Sequence, residues 1–200
     1  MRRLSMLALV VAVVVAACAR DRAPSPATRA DAAPARHYGL GRTATAAEVA
    51  ARNIDVGPDG EGLPAGSGSA AQGADLFQKK CSMCHGPKGQ GMAPVYPQLI
   101  GRDPKAESFT FASDFKLVKT IGNYWPHATT VFDYVRRAMP FLQPGSLTND
   151  EVYALSAFLL ASNQVIPMTA TLDSASLVQV KMPYRDRFVA DTRRGGRDVK

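Results

Sequence analysis

Two cysteines, Cys81 and Cys84, flank Ser82 and Met83, and His85 follows directly. Thiols one helical turn apart can both reach the vinyl groups on one edge of a porphyrin, and the next imidazole then lies beneath the iron. The pattern is the attachment signature of a c-type haem, with Cys81 and Cys84 as thioether donors and His85 as proximal ligand. A structural zinc site would want four Cys or His ligands, usually with a second cluster, and the sequence offers none. A thioredoxin-like dithiol would want a strand-then-helix setting, which the neighbouring residues do not provide.

An iron held only by His85 would stay open to small molecules. Met139 is the best-placed residue for the far side. It follows a helical pattern and precedes Pro140 and a Pro/Gly loop, which puts a thioether where it can fold over the opposite haem face. A His/Met pair also raises a cytochrome potential. A lone Met is more often core packing, but this setting argues for ligation, so the metal set is His85 and Met139. Met92 is a rival that lies close to the proximal side. Met83, between the thioether cysteines, points away, and Met168 and Met182 lie beyond the last expected helix. His127 would give a bis-His haem of lower potential, and its place after Pro126 suits a surface or a propionate edge better. Tyr124 and Trp125 are expected on the haem rim, where a ring packs and its polar tip can meet a propionate. Leu99 is expected against the porphyrin.

No catalytic residue is expected. The sequence shows no paired carboxylates, no Ser/His/Asp set and no phosphate loop, and Asp133 reads as a solvated acid. A closed iron exchanges electrons without binding a substrate, which points to an electron carrier. If Met139 were not a ligand, the open iron would point to an enzyme or a small-gas sensor. A docking lipoprotein with an incidental haem is the third reading.

The elements that must position these residues follow from periodicity and caps. Ala70 to Lys80 is expected as a helix, with Leu76 and Phe77 inward, delivering Cys81 to the haem edge. Gly73 costs that helix roughly 1 kcal/mol against alanine, so a close crossing with another helix is expected there. Pro94 to Ile100 should line the proximal side. Phe109 to Gly122 alternates, with a helix starting within Lys116 to Ile121. Thr129 to Ala138 is a helix with Val131, Phe132 and Val135 on one face, ending before Pro140. Thr148-Asn-Asp-Glu151 is a capping box for a helix to about Ser162, with Val152, Leu155, Phe158 and Leu159 on one face. Thr45 to Ala51 has a similar start. Asp55 to Gly68 is Gly/Pro-punctuated chain expected to lie on the haem domain. Ile166 to Lys200 has little periodicity and reads as a wrapping tail.

At 200 residues, the length suits one domain with extensions. Residues 1–17 read as a lipoprotein signal peptide. Arg2 and Arg3 precede an apolar run from Leu4 to Val15, too short to span a bilayer comfortably. Val15-Ala-Ala-Cys18 resembles a bacterial lipobox, making Cys18 the lipidated residue; the alternative is an ordinary signal peptide and a stray thiol. Arg2-Arg3 has poor flanks for a twin-arginine signal, and haem is attached after export of an unfolded chain. Residues 18–37 are a polar, Ala/Pro-rich tether. Residues 38–68 form an amino-terminal arm, 69–163 the haem domain, and 164–200 a carboxy-terminal arm and tail. The three cysteines are then all assigned, one to lipid and two to haem, with none for a disulfide. The expected place is the periplasmic side of a membrane, lipid-anchored, or else soluble in the periplasm. That compartment excludes nucleic acid as a partner. The formal charge of +7 falls to +5 without Arg2 and Arg3, which is compatible with an acidic protein, an anionic lipid surface or simple solvation.

The order of attachment motif, aromatic segment, Ala-Met-Pro and capped helix resembles class I cytochromes c. The resemblance implies an all-α fold of three to five helices around one covalent haem, here with extended N- and C-terminal arms. It also matches Gly73, Phe77 and Phe158 to the family's helix crossing. A narrower resemblance covers about Tyr38 to Phe188. Tyr38-Gly-Leu-Gly-Arg42, Ile54-Asp-Val-Gly-Pro-Asp-Gly60, Gly62 to Gly68, Val118 to Pro126, Phe132 to Pro140 and Lys181-Met-Pro183 look like the SoxD-type cytochrome subunits of sulfite and sulfane dehydrogenases. Arg52-Asn53 stand where that group often has Trp-Asp. The resemblance implies a molybdenum-containing dehydrogenase subunit as electron donor, and a downstream cytochrome c or oxidase as acceptor.

Overall fold

The computed structural model describes residues 38–189. The expectations for residues 1–37, including Cys18 and the tether, lie outside the described residues. The chain divides between Ala44 and Thr45; the described part of the first unit, 38–44, has neither helix nor strand. The second unit runs through α1 (Ala46–Arg52), β1 (Ser67–Ser69), α2 (Ala70–Lys80), α3 (Ser82–His85), α4 (Ile121–Tyr124), α5 (Ala128–Ala138), α6 (Asn149–Ser162), β2 (Thr171–Asp173) and α7 (Ser174–Val178). Short 3-10 turns lie at Pro104–Ser108 and Arg185–Arg187. Side chains close the starts of α1, α2 and α6 in reciprocal capping boxes: Thr45 with Glu48, Ser69 with Gln72, Thr148 with Glu151.

α6 is the centre of the molecule. One apolar face was expected, but Val152, Tyr153, Ala154, Leu155, Ser156, Ala157, Leu159, Leu160 and Ala161 are all buried. A helix apolar on every side must be enclosed on every side. α2 crosses it at Gly73. A methyl group there would collide with the Ala154 carbonyl and lie 2.7 Å from Phe158 Cβ. Just past the crossing, Phe77 packs on Phe158 with ring centroids 5.1 Å apart. α5 lies on α6 through Phe132 and Tyr153, 4.5 Å between centroids. Lys80 Nζ meets Glu151 Oε1 at 2.7 Å, a second tie between α2 and α6.

From residue 54 the amino-terminal arm is bonded to the helices. Ser67 N–H donates to Asp150 Oδ1 (2.8 Å), and Tyr153 Oη donates to Pro64 O (2.8 Å). Val56 N–H donates to Asp133 Oδ1 at 2.8 Å. Asp133 is therefore not the solvated acid its sequence setting suggested. It is 8 % exposed, and Arg137 grips it twice, Nε to Oδ1 at 2.8 Å and Nη2 to Oδ2 at 2.6 Å. Burial works to raise its pKa, but the Arg137 bonds, the Val56 N–H and the charges of Arg137 and Arg136 outweigh burial and hold the carboxyl below its ordinary value.

The carboxy-terminal segment is more ordered than its weak periodicity suggested. β2 pairs antiparallel with β1, Gly68 opposite Leu172, and α7 follows, so α6 is not the last helix. Leu172, Leu177 and Met182 are buried. The strands are three residues long, too short for sequence alternation to reveal. The helix expected to start within Lys116 to Ile121 starts at Ile121, capped by Thr120 with Asn123. Phe109 and Phe111 form no strand. They join Tyr124, Tyr184 and Phe188 in a cluster with ring centroids 5.0–5.8 Å apart.

Two outcomes are expected. Gly73→Ala should cost about 1–3 kcal/mol in a denaturant melt, because overpacking against backbone outweighs alanine's helix preference. The stabilising effect of ionised Asp133 should be complete above the ordinary Asp value of about 3.9 and vanish as the pH falls through its lower, folded value. Urea midpoints measured against pH should fall less steeply in acid for Asp133→Asn than for the wild type.

Candidate functional site

α2 runs directly into the attachment turn. Cys81 closes the helix with its N–H donating to Phe77 O (2.9 Å). The chain then coils once more: Cys84 N–H and His85 N–H both donate to Cys81 O, at 3.1 and 2.9 Å. Ser82 Oγ donates back to Gln78 O at 2.6 Å. The two thiols and the imidazole thus share one rigid turn at the end of an anchored helix. Burial pushes the Cys81 thiol up to about 11, with Lys80 opposing and Cys84 adding to the rise.

The glycine-rich loop after His85 folds under the ring. Gly91 N–H donates to His85 O (2.8 Å), and the amides of Leu99 and Ile100 donate to Gly89 O at 2.8 and 3.1 Å. A Cβ at Gly91 would lie 2.7 Å from Gln98 N, so the loop closes only with glycine there. This closure sets Pro97 O 3.4 Å from His85 Nδ1. A carbonyl at Nδ1 keeps the proton on that nitrogen, fixes the ring and leaves Nε2 for a metal. Tyr96 stands edge-on to the His85 ring, 6.3 Å between centroids. A hydrogen bond with Cys84, then its charge, then burial hold the Tyr96 phenol above its ordinary value.

Leu99 is half-buried against the core, and its carbonyl is held twice, by Ile121 N–H (3.1 Å) and Asn163 Nδ2 (3.1 Å). Asn163 also takes the Gly101 N–H at 3.0 Å. Sequence reasoning included Pro97 in the segment lining the proximal side without singling it out, and it missed Asn163. The available signal for Asn163 was a polar residue directly after a long apolar helix.

Met139 caps α5, its N–H donating to Val135 O at 3.2 Å, and is half-buried. Phe141 and Leu142 follow it, 76 % and 82 % exposed. Met83 is 79 % exposed, and Met92 and Val95 are exposed too. Trp125 does not turn its polar tip outward: its Nε1–H donates to Thr130 Oγ1 (2.8 Å), and its ring meets Tyr134 edge-on. Tyr124 stacks on Phe109, with Lys119 Nζ 4.6 Å from the ring centroid. His127 precedes α5 without capping it. Burial, then the Arg185 charge, hold its pKa below the ordinary value.

These residues fit a covalent haem. The thiols and the imidazole share one turn, and the second ring nitrogen faces a carbonyl. Large apolar side chains stand exposed on the attachment and Met139 loops, where a water-facing surface would be polar. Among the described residues no three His, Cys, Asp or Glu side chains gather as a metal-binding cluster, whereas a structural zinc site takes four such ligands.

Comparison with known proteins agrees. The Cytochrome c family model matches residues 70–163. A chain in the crystal structure of the sulfane dehydrogenase SoxCD from Paracoccus pantotrophus is 40 % identical, with a TM-score of 0.67 over 78 % of this chain and 73 % of that one. The protein belongs to the cytochrome c family. Its fold is that of the class I cytochromes c, and covalent haem c is the family's cofactor. A thiosulfate dehydrogenase of Stutzerimonas stutzeri (strain A1501) is 23 % identical over 125 residues, 60 % of this cytochrome and 36 % of that protein. Cytochrome c-554(548) of Halomonas halodenitrificans is 50 % identical over 36 residues, 18 % of this chain and 42 % of that one. The matched stretches thus span less than half the length of these two curated relatives.

Expressed in a host that matures c-type cytochromes, Cys81→Ala and Cys84→Ala should each lose most of the haem that survives denaturing electrophoresis. Ser82→Ala should keep it. Haem staining of the gel checks both.

Proposed function

We propose that this cytochrome is the monohaem electron-transfer subunit of a periplasmic molybdenum sulfite or sulfane dehydrogenase, passing electrons to a downstream cytochrome c or oxidase. The observation that carries the proposal is the 40 % identity to a chain of the sulfane dehydrogenase SoxCD across most of both chains. The similarity to a thiosulfate dehydrogenase is in keeping with sulfur chemistry at the donor. A single attachment motif supports one haem. The Arg2-Arg3 start, the apolar run and Val15-Ala-Ala-Cys18 support export and lipidation at Cys18, with residues 18–37 as tether, 38–68 as arm, 69–163 as haem domain and 164–200 as carboxy-terminal arm.

When bound, the haem supplies a one-electron couple. The protein's residues do the rest. Cys81 and Cys84 would hold the porphyrin edge. His85 Nε2 would bind the iron, oriented by Pro97 O at Nδ1. Met139 would close the far side, so that electrons pass without a substrate bound at the metal. Leu99 would cover the proximal face. Tyr124 and Trp125, both engaged with protein neighbours, would act through packing. Met139 as sixth ligand also disfavours the open-iron reading of an enzyme or a gas sensor.

Co-purification from the native membrane should bring a molybdenum protein with the cytochrome. Thiosulfate or sulfite should then reduce the haem only when that protein is present, and carbon monoxide should leave the reduced spectrum unchanged. Reduction without a partner, or a carbon monoxide adduct formed readily, would contradict the proposal.

A further inference from the structure

The helix that ends in Met139 is laced to the amino-terminal arm along its length. Three side chains of α5, at successive turns, bond the arm in reverse chain order. Thr129 Oγ1 donates to Pro58 O (3.0 Å), Asp133 Oδ1 accepts from Val56 N–H (2.8 Å), and Arg136 Nη1 donates to Ile54 O (2.9 Å). The middle rung is a carboxylate with 8 % exposure, fixed in orientation by both Arg137 contacts. Val131, Phe132 and Val135 of the same helix are buried in the core. α5 is therefore held both by the core and by the arm. The core contacts are apolar and non-directional, and tolerate small sliding or rotation. The rungs are directional, and those of Asp133 and Arg136, each with one ionised partner, are stronger than the neutral Thr129 rung. Haem attachment uses none of the three, and a buried carboxylate with two strong partners is costly to keep without a task.

We infer that Asp133 is a positioning residue for Met139. By bonding the arm to α5, it fixes the helix end that presents the thioether to the iron. This rests on the reading of Met139 as the far-side ligand. With the rung cut, α5 gains freedom at its carboxy-terminal end, and Met139 yields its place to an added ligand more readily.

The test uses the full-length haem-loaded protein, with imidazole as the competing ligand of the ferric form. Titrations are run where circular dichroism shows every variant folded. Asp133→Ala should bind imidazole about tenfold more tightly than the wild type, the 1.4 kcal/mol expected when one charged hydrogen bond no longer opposes exchange. Its sulfur-to-iron charge-transfer band should weaken as well. Asp133→Asn and Arg136→Ala should shift in the same direction by less. Glu151→Ala removes a capping box and an ion pair that make no bond to α5 or to residues 54–58. It should lower the melting temperature without changing imidazole affinity. Equal affinities in Asp133→Ala and the wild type, or an equal rise in Glu151→Ala, would overturn the inference. If Met139→Ala kept the wild-type band, the ligand assignment would fail first and take this inference with it. If that band were lost while Asp133→Ala behaved as wild type, only the inference would fail.

Discussion

The crossing of α2 and α6 is the contact on which the rest depends. With hydrogen in place of a side chain at Gly73, α2 settles onto the Ala154 backbone. Ala154 also receives the other end of the packing: a Cβ at Gly68 would lie 2.6 Å from Ala154 Cα, so β1 sits against the same residue. Because only the cap residue Cys81 separates α2 from the Ser82–His85 turn, the angle of this crossing aims both thiols and the imidazole together. A displacement of a fraction of an ångström would move all three, and close-packed backbone resists such a displacement far more strongly than a flexible side chain would.

The two proposed iron ligands are supported by different means. His85 belongs to the α2–α6 unit and is oriented by a loop whose carbonyls are tied to the far end of α6 through Asn163. Met139 belongs to α5 and reaches α6 only through side-chain packing and the arm. The proximal side is thus built of backbone hydrogen bonds around glycines, and the far side of one helix held between a core and a strap. That division suits a redox site in which one bond must stay fixed while the other sets how closed the metal is.

What the sequence revealed and what it concealed divide by range. The haem attachment turn, the capping boxes at Thr45 and Thr148, the helices from Ala70 and Thr129 and the small residue at Gly73 all depend on neighbours within a few positions, and each stood where the local pattern placed it. Asp133 misled because its partner, Val56, is 77 residues away. Pro97 acts through its backbone carbonyl, and Asn163 through side-chain bonds to the Leu99 carbonyl and the Gly101 N–H about sixty residues away, which no local pattern marks. The three-residue strands are held by each other and not by propensity. The stacked rings of Phe109, Tyr124 and Tyr184 come from three distant segments, so the alternation over Phe109 to Gly122 did not show the aromatic cluster. α6 hid its burial because Ser156 and its alanines look neutral when read for a single apolar stripe.

Two of the relatives are dehydrogenases of sulfur compounds, but the physical core of the proposal is narrower: an iron closed from both sides, by His85 and by Met139. X-ray absorption at the iron edge of the haem-loaded protein tests it directly. The account predicts a sulfur atom at bonding distance in both the oxidised and the reduced states, lost in Met139→Ala. A first shell made of nitrogen and oxygen alone, or a sulfur that persists after that substitution, would contradict it.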